Sequence, residues 1–256
     1  MGIAVAGPAI LDINTQRDLI YPDGAYVMHE GEALLDPLKR FFTWAARRRC
    51  PVASTRLRNA LMPGERNHRP ICVPDSEGYR KIPVSLMRCR LEMPSDCGTS
   101  LPIDGFATVQ QFIFDLPGVN PFELPRLDRL LSEAEVETWL VVGAPLEDSV
   151  RMAVLGLLQR RHKVIMVRDC TGQRDPYEGE MALRQIESKN IEFLTAEEVA
   201  ARYTGKPQPG LMAASRAAST VASYASSDTP ARTRKARRLR LNDQRAPVSD
   251  HRPLRA

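Results

Sequence analysis

Two almost uninterrupted apolar runs constrain this chain most. They are Val136 to Ala144, VETWLVVGA, and Lys163 to Asp169, KVIMVRD. A strand with one wet face alternates apolar and polar residues, whereas a strand apolar along its whole length is covered on both faces. Between the two runs, Leu146 to His162 places Val150, Val154, Leu157 and Leu158 at helical spacing. Strand, amphipathic helix, strand is the unit of a parallel sheet with right-handed crossovers.

The same alternation extends in both directions. Pro8 to Asn14, Pro51 to Thr55 and Gly105 to Phe114 read as strands. Glu32 to Arg49 reads as a helix through Leu34, Leu35, Leu38, Phe41, Phe42 and Ala45, with Arg47, Arg48 and Arg49 in its last turn. Cationic side chains suit a helix C-terminus. Pro121 to Glu135 and Asp175 to Asn190 read as helices, Ile191 to Leu194 as a last strand, and Glu197 to Tyr203 as a closing helix. The expected fold is a three-layer αβα domain with a mostly parallel, Rossmann-like sheet, spanning residues 1 to 203. Ligands of such sheets bind beyond the carboxyl ends of the strands. Attention therefore falls after Ile13, around Gln110 and Gln111, and after Gly143. Residues 56 to 104 are less regular and read as an excursion over that edge, where binding loops sit.

The charge is uneven. Of 36 Lys/Arg and 31 Asp/Glu, 11 and 3 respectively fall after Tyr203, so residues 204–256 carry +8 and the preceding part −3. The tail is Ala/Ser/Arg-rich, includes the octamer Thr233 to Arg240, TRKARRLR, and shows no periodicity that would bury a face. Such a segment is expected to be solvated and disordered, with polyanion or nucleic-acid contact as its functional reading. A basic surface over the whole molecule is excluded. No apolar stretch is long enough to span a bilayer, and the first residues, MGIAVAGPAILDINTQ, lack the basic start of a secretory signal. Cys50, Cys72, Cys89, Cys97 and Cys170 form no CxxC pair. Free thiols in a cytoplasmic protein, without structural zinc, are expected.

Three segments carry a resemblance. The first is Asp12 at a strand end, followed by Thr15-Gln16-Arg17-Asp18 and the turn Pro22-Asp23-Gly24. The second is Cys72-Val-Pro-Asp-Ser-Glu-Gly-Tyr-Arg-Lys-Ile82. The third is Val142-Gly-Ala-Pro-Leu-Glu-Asp-Ser149-Val150. In order and on these elements, they resemble the isochorismatase-like hydrolases, which include nicotinamidases and N-carbamoylsarcosine amidohydrolases. Leu19 stands where that family usually has Phe. The resemblance implies a cysteine nucleophile at the start of a helix, whose N-terminus lowers the thiol pKa and whose amides stabilise an oxyanion. It also implies an Asp base and a supporting Lys.

Set against this pattern, the sequence is subtractive. Asp12 occupies the Asp position, Ser149 the Cys position, and Gln111 is the best match to the Lys position; the nearest lysine, Lys81, falls in the excursion. Gln16 and Cys72 are expected to contact a ligand. Ala144, Pro145 and Ser149 form the oxyanion turn, with a cis Ala144–Pro145 bond expected, since proline lowers the cis cost from about 3 to about 1 kcal/mol. Where metal-binding relatives carry ligands, this chain has Leu57, Asn59 and Ile71, so neither metal nor cofactor is expected. Asp18 is expected to hold its loop through side-chain to backbone bonds.

Serine needs an adjacent base, and no histidine lies near these motifs. The leading reading is thus a family member that has lost hydrolysis and serves as a ligand-binding protein or as a subunit of a homo-oligomer. The alternative is a hydrolase of amide or carbamoyl C–N bonds using Ser149 and Asp12. A third reading assigns polyanion binding to the tail. None of them involves a membrane.

Overall fold

The computed structural model describes residues 3–62, 69–102 and 105–205, with backbone alone for residues 3–6. The expected basic tail lies outside the described residues from Lys206 onward.

Seven parallel strands form one sheet: β1 (Ile3–Ile13), β2 (Val52–Leu57), β3 (Arg90–Glu92), β4 (Gln111–Leu116), β5 (Ala134–Gly143), β6 (Val164–Thr171) and β7 (Glu192–Leu194). Their spatial order is β3-β4-β2-β1-β5-β6-β7. The apolar runs that define the sequence occupy β5 and β6, and Trp139 to Val142 and Ile165 to Val167 are buried as covered strands require. β1 lies at the centre, with Asp12 level with Ser54 of β2 on one side and Val142 of β5 on the other. It contains Pro8, which cannot donate to a ladder; the register shift between Val5 and Pro8, with Gly7 at φ +99°, accommodates it.

Helices cover both faces. The main ones are α1 (Arg17–Ile20), α2 (Leu35–Arg48), α3 (Pro125–Glu133), α4 (Arg151–Gln159), α5 (Pro176–Glu187) and α6 (Ala196–Arg202). α2 buries Leu38, Phe41, Phe42 and Ala45, the face its spacing predicts, and packs beside α6 and β6. α4 packs against α5. None of the helices among the described residues is long and apolar enough to cross a membrane.

The structure differs from the sequence expectation at element ends and in the excursion. The expected helix from Leu146 begins as a π-type turn, Leu146–Val150, before α4. The expected strand from Gly105 starts only at Gln111, because Gly105–Ala107 forms a 3-10 turn. The excursion contributes the edge strand β3 and a 3-10 turn at Pro83–Ser85. Three residues of unremarkable pattern make an edge strand through backbone pairing with β4, which leaves little periodic trace.

From β1 the chain builds β2, β3 and β4 on one side, with β4 lying between β2 and β3, and then β5, β6 and β7 on the other. The order therefore reverses between β1 and β5, which is where open α/β sheets place ligands. The crossing there is tight. The Ala144 N–H donates to the Ile13 carbonyl at 2.9 Å, and Gly143 has φ +115° with its missing Cβ position 1.8 Å from the same oxygen. Gly143→Ala is expected to cost about 2 kcal/mol or more, since it adds a backbone clash to a left-handed strain. An unchanged midpoint in urea unfolding would contradict this.

Candidate functional site

Asp12 closes β1 with its carboxylate fully buried. Oδ1 accepts a hydrogen bond from Thr15 Oγ1 at 2.8 Å, and Oδ2 one from Ser54 Oγ at 2.7 Å. Oδ2 also meets the Lys81 ammonium at 2.9 Å, in an ion pair whose side chains are 1% and 0% exposed. The same Nζ donates to the Thr55 carbonyl at 3.2 Å. Burial holds the Lys81 ammonium below the ordinary lysine value, and Asp12 opposes that shift.

Lys81 corrects the sequence expectation that no lysine supports Asp12. Gln111 does not stand in the lysine's place. It lies at the start of β4, level with Val52. Its Oε1 accepts from the Met87 amide, while Nε2 donates to Ser54 Oγ and the Ser85 carbonyl, each at 2.8 Å. It therefore sits one hydrogen bond behind Asp12, orienting Ser54, and makes no contact that would replace an ammonium.

The excursion delivers Lys81 because Gln16 straps it down. Gln16 and Lys81 form an antiparallel bridge, flanked by Arg17 N–H to Arg80 O at 2.9 Å and Ile82 N–H to Thr15 O at 2.9 Å. The Gln16 carboxamide donates to the carbonyls of Leu57 and Tyr79, both at 2.9 Å, and accepts from the Leu57 amide at 2.6 Å. These bonds use both amide N–H groups and make Gln16, expected as a ligand contact, a clamp between three segments. Asp18 does hold its loop, accepting from Ala25 N–H at 3.0 Å and Cys72 N–H at 2.8 Å. Arg56 pairs with Asp115 at 2.7 Å and stacks on Tyr79, 4.6 Å from its ring centre, and Tyr79 Oη also donates to Asp115.

Cys72, the other expected contact, is buried at φ +52°. Burial pushes its thiol pKa well up, with Asp18 adding to the shift. A thiol in that state is no nucleophile.

On the other side of β1, the Ala144–Pro145 bond is cis. The first amides of this turn, at residues 144 to 146, are spent or missing. Ala144 N–H goes to Ile13 O, Pro145 has none, and Leu146 N–H goes to Gly172 O at 2.8 Å. Ser149 follows in the π-type turn, fully buried, with no hydrogen-bond partner on Oγ among the described residues. Its neighbour Asp148 is half-buried, and burial with Glu147 alongside raises its carboxyl to about 6. Among the described residues no three His, Cys, Asp or Glu side chains gather as metal ligands; Leu57 and Ile71 are buried apolar residues and Asn59 is exposed.

Sequence reasoning missed Lys81, Ser54 and Thr55 as parts of the site. A compositional signal existed for the first: only six of the 36 basic residues are lysine, and Lys81 sits between Arg80 and the apolar Ile82-Pro83.

A parallel α/β sheet with a buried Asp–Lys pair and a hydroxyl at its switch point defines a hydrolase-type frame. The comparisons narrow it. A family model described as the isochorismatase domain matches residues 8–198, and the chain belongs to that family. Among solved structures, the pyrazinamidase of Pyrococcus horikoshii in complex with zinc is similar, at 20% identity over 73% of this chain and 98% of that one, with a TM-score of 0.56. Nicotinamidase PncA from Bacillus subtilis is 12% identical over 73% and 99%, at a TM-score of 0.58. The MAR1 ribonuclease of Caenorhabditis elegans is 15% identical over 93% and 100%, at 0.55. At these identities the likeness is one of fold. Curated protein sequences give no match.

Two tests follow from the electrostatics. Lys81→Met leaves Asp12 buried without its counter-charge, and a loss of about 3 to 5 kcal/mol in urea unfolding at neutral pH is expected. The double variant with Asp12→Asn recovers part of it, and additive losses would contradict the pairing. Asp148 acts in the opposite sense. The unfolded chain ionises it near 3.9, so between about pH 4 and pH 6 the folded state holds more protons and stability falls as pH rises. Asp148→Asn is expected to stabilise the protein at pH 7 by about 1 kcal/mol, allowing for solvent screening at a half-buried position. Melts at pH 4 should show almost no difference; an equal gain at both pH values would refute the assignment.

Proposed function

We propose that this member of the isochorismatase family binds a small polar ligand at the Asp12–Lys81–Ser149 site and has lost thiol-dependent hydrolysis. One observation carries the reading. Asp12 directs its carboxylate to Thr15, Ser54 and Lys81, while the buried Ser149 hydroxyl has no partner. A serine nucleophile needs a base within hydrogen-bond reach of its proton. At the turn, the amides of Ala144 and Leu146 are taken by Ile13 and Gly172 and Pro145 has none, which leaves an oxyanion only the N–H groups that open the following helical segment. Ligand binding is favoured because the polar groups of the site are buried yet incompletely paired, which is costly unless something else pairs them.

A serine-dependent hydrolase of amide or carbamoyl bonds is the second reading. Lys81 beside Asp12 favours it, because a buried ammonium could lower the cost of a developing anion.

The two readings separate on turnover. The full-length chain, incubated with nicotinamide, pyrazinamide and N-carbamoylsarcosine, is expected to release no ammonia above a buffer control. Ser149→Cys is expected to stay inactive as well, because the Asp12 carboxylate is engaged by Thr15, Ser54 and Lys81. Ammonia release by the unmodified chain that Ser149→Ala abolishes would overturn the leading reading in favour of the hydrolase.

A further inference from the structure

The opposite end of the sheet, where β5 begins, carries an unfinished pairing. The main-chain groups of a strand point alternately to its two neighbours. In β5, Trp139 N–H donates to Lys163 O at 2.9 Å and the Gly143 carbonyl accepts from Gly172 N–H at 3.0 Å, both toward β6. By the same alternation the N–H and C=O groups of Glu135 and Glu137 face that side. β6 does not reach them, because its pairing with β5 starts at Trp139 and Val164. The turn before β6 does not replace it: the amides of Arg161 and His162 fold back to the carbonyls of Leu158 and Leu157, at 2.9 and 3.1 Å. β1 covers only the other side of this stretch, with Ile3 level with Ala134 and Val5 level with Val136. Among the described residues, the first four of β5 thus present a bare strand edge. A groove of about 500 Å³ runs along it, between residues 132–136 and 160–162. Such an edge is a template for one more strand.

The edge is patterned. Successive side chains of a strand point to opposite faces. Glu135 and Glu137, both exposed, share one face, and Ala134 and Val136, buried and half-buried, share the other. A strand that complements it alternates cationic and apolar residues. The basic tail holds such a run, Arg238-Leu239-Arg240-Leu241, overlapping the end of the octamer. Four residues bury no face alone, but they match the length of the edge, and opposite charges placed across a strand pair attract. The tail also starts nearby. Tyr203 follows α6 with its ring centre 6.4 Å from that of Trp44, and Thr204 O accepts from Arg48 Nη1 at 3.3 Å. Burial raises the Tyr203 phenol, and the Glu137 carboxylate close by adds to the rise. Residues 205–237 reach at most about 110 Å when extended, ample for a return to the edge. Tethering holds the run at an effective concentration on the order of millimolar, so modest pairing suffices.

We propose that residues 238–241 add to residues 134–137 of the same chain as a further strand, with Arg238 and Arg240 facing Glu135 and Glu137, and Leu239 and Leu241 on the side of Ala134 and Val136. The added strand covers the edge against a second copy and withholds two arginines from polyanions.

The test is hydrogen exchange at the amides of residues 135 and 137 in the full-length chain, at about 50 mM salt, where exposed charges are weakly screened. Protection in the unmodified chain should exceed that in Arg238→Glu/Arg240→Glu about ten-fold or more. Combining those changes with Glu135→Arg/Glu137→Arg should restore it. Should the variant carrying the β5 changes fail to fold, Leu239→Asp/Leu241→Asp, confined to the tail, provides the second measurement and should lose protection as well, with an unchanged melting temperature. Equal protection in the unmodified chain and both tail variants would overturn the proposal. Protection that fades on dilution would overturn it too, by assigning the added strand to a second copy.

Discussion

The organisation of this molecule depends on one buried charge pair. Asp12 and Lys81 meet at 2.9 Å where neither is exposed. Such a pair gains little net stability, because desolvation consumes most of the Coulomb attraction, but it cannot be half-present. Lys81 must arrive for the buried Asp12 carboxylate to have its counter-charge, so the excursion between β2 and β4 must close over the sheet edge. The Gln16 clamp, the Asp18 bonds and the Arg56–Asp115–Tyr79 cluster all serve that closure. Structure far from the chemistry is thereby tied to two atoms at its centre.

The opposite wall of the site is set by backbone economy. Gly143 allows β5 to pass against Ile13, and the neighbouring amides are consumed in holding the crossing. The turn thereby spends two of its backbone donors on its own architecture. In the reading proposed above, that expenditure and the hydroxyl at Ser149 both favour recognition over nucleophilic attack.

Much of the fold could be read in the sequence because burial writes itself as periodicity. The runs at Val136 and Lys163 and the apolar face of α2 are direct consequences of being covered. β3 could not be read, since three residues paired along an edge bury too little to leave a pattern. The site divides in the same way. Asp12 and Ser149 were visible because each sits at the end of a regular element. Gln111 matches the lysine position along the strand, but order along a strand carries no trace of Lys81, which a loop brings back from elsewhere. The type and place of Gln16 suggest a ligand contact, and they carry no trace of its partners at Leu57 and Tyr79, in segments 41 and 63 residues away.

The sequence by itself determined a parallel α/β sheet, its switch point and the residues that stand there, since these follow from local patterning repeated along the chain. It also determined that the Cys position holds a serine and that the basic charge belongs to the last fifty residues. Only the tertiary structure decided that Lys81 completes the carboxylate site and that the amides of Ala144 and Leu146 are spent. Each of these depends on which atoms of distant segments share a hydrogen bond. Hydrogen bonding is settled by distances of a few tenths of an ångström between such segments, and no local pattern encodes them.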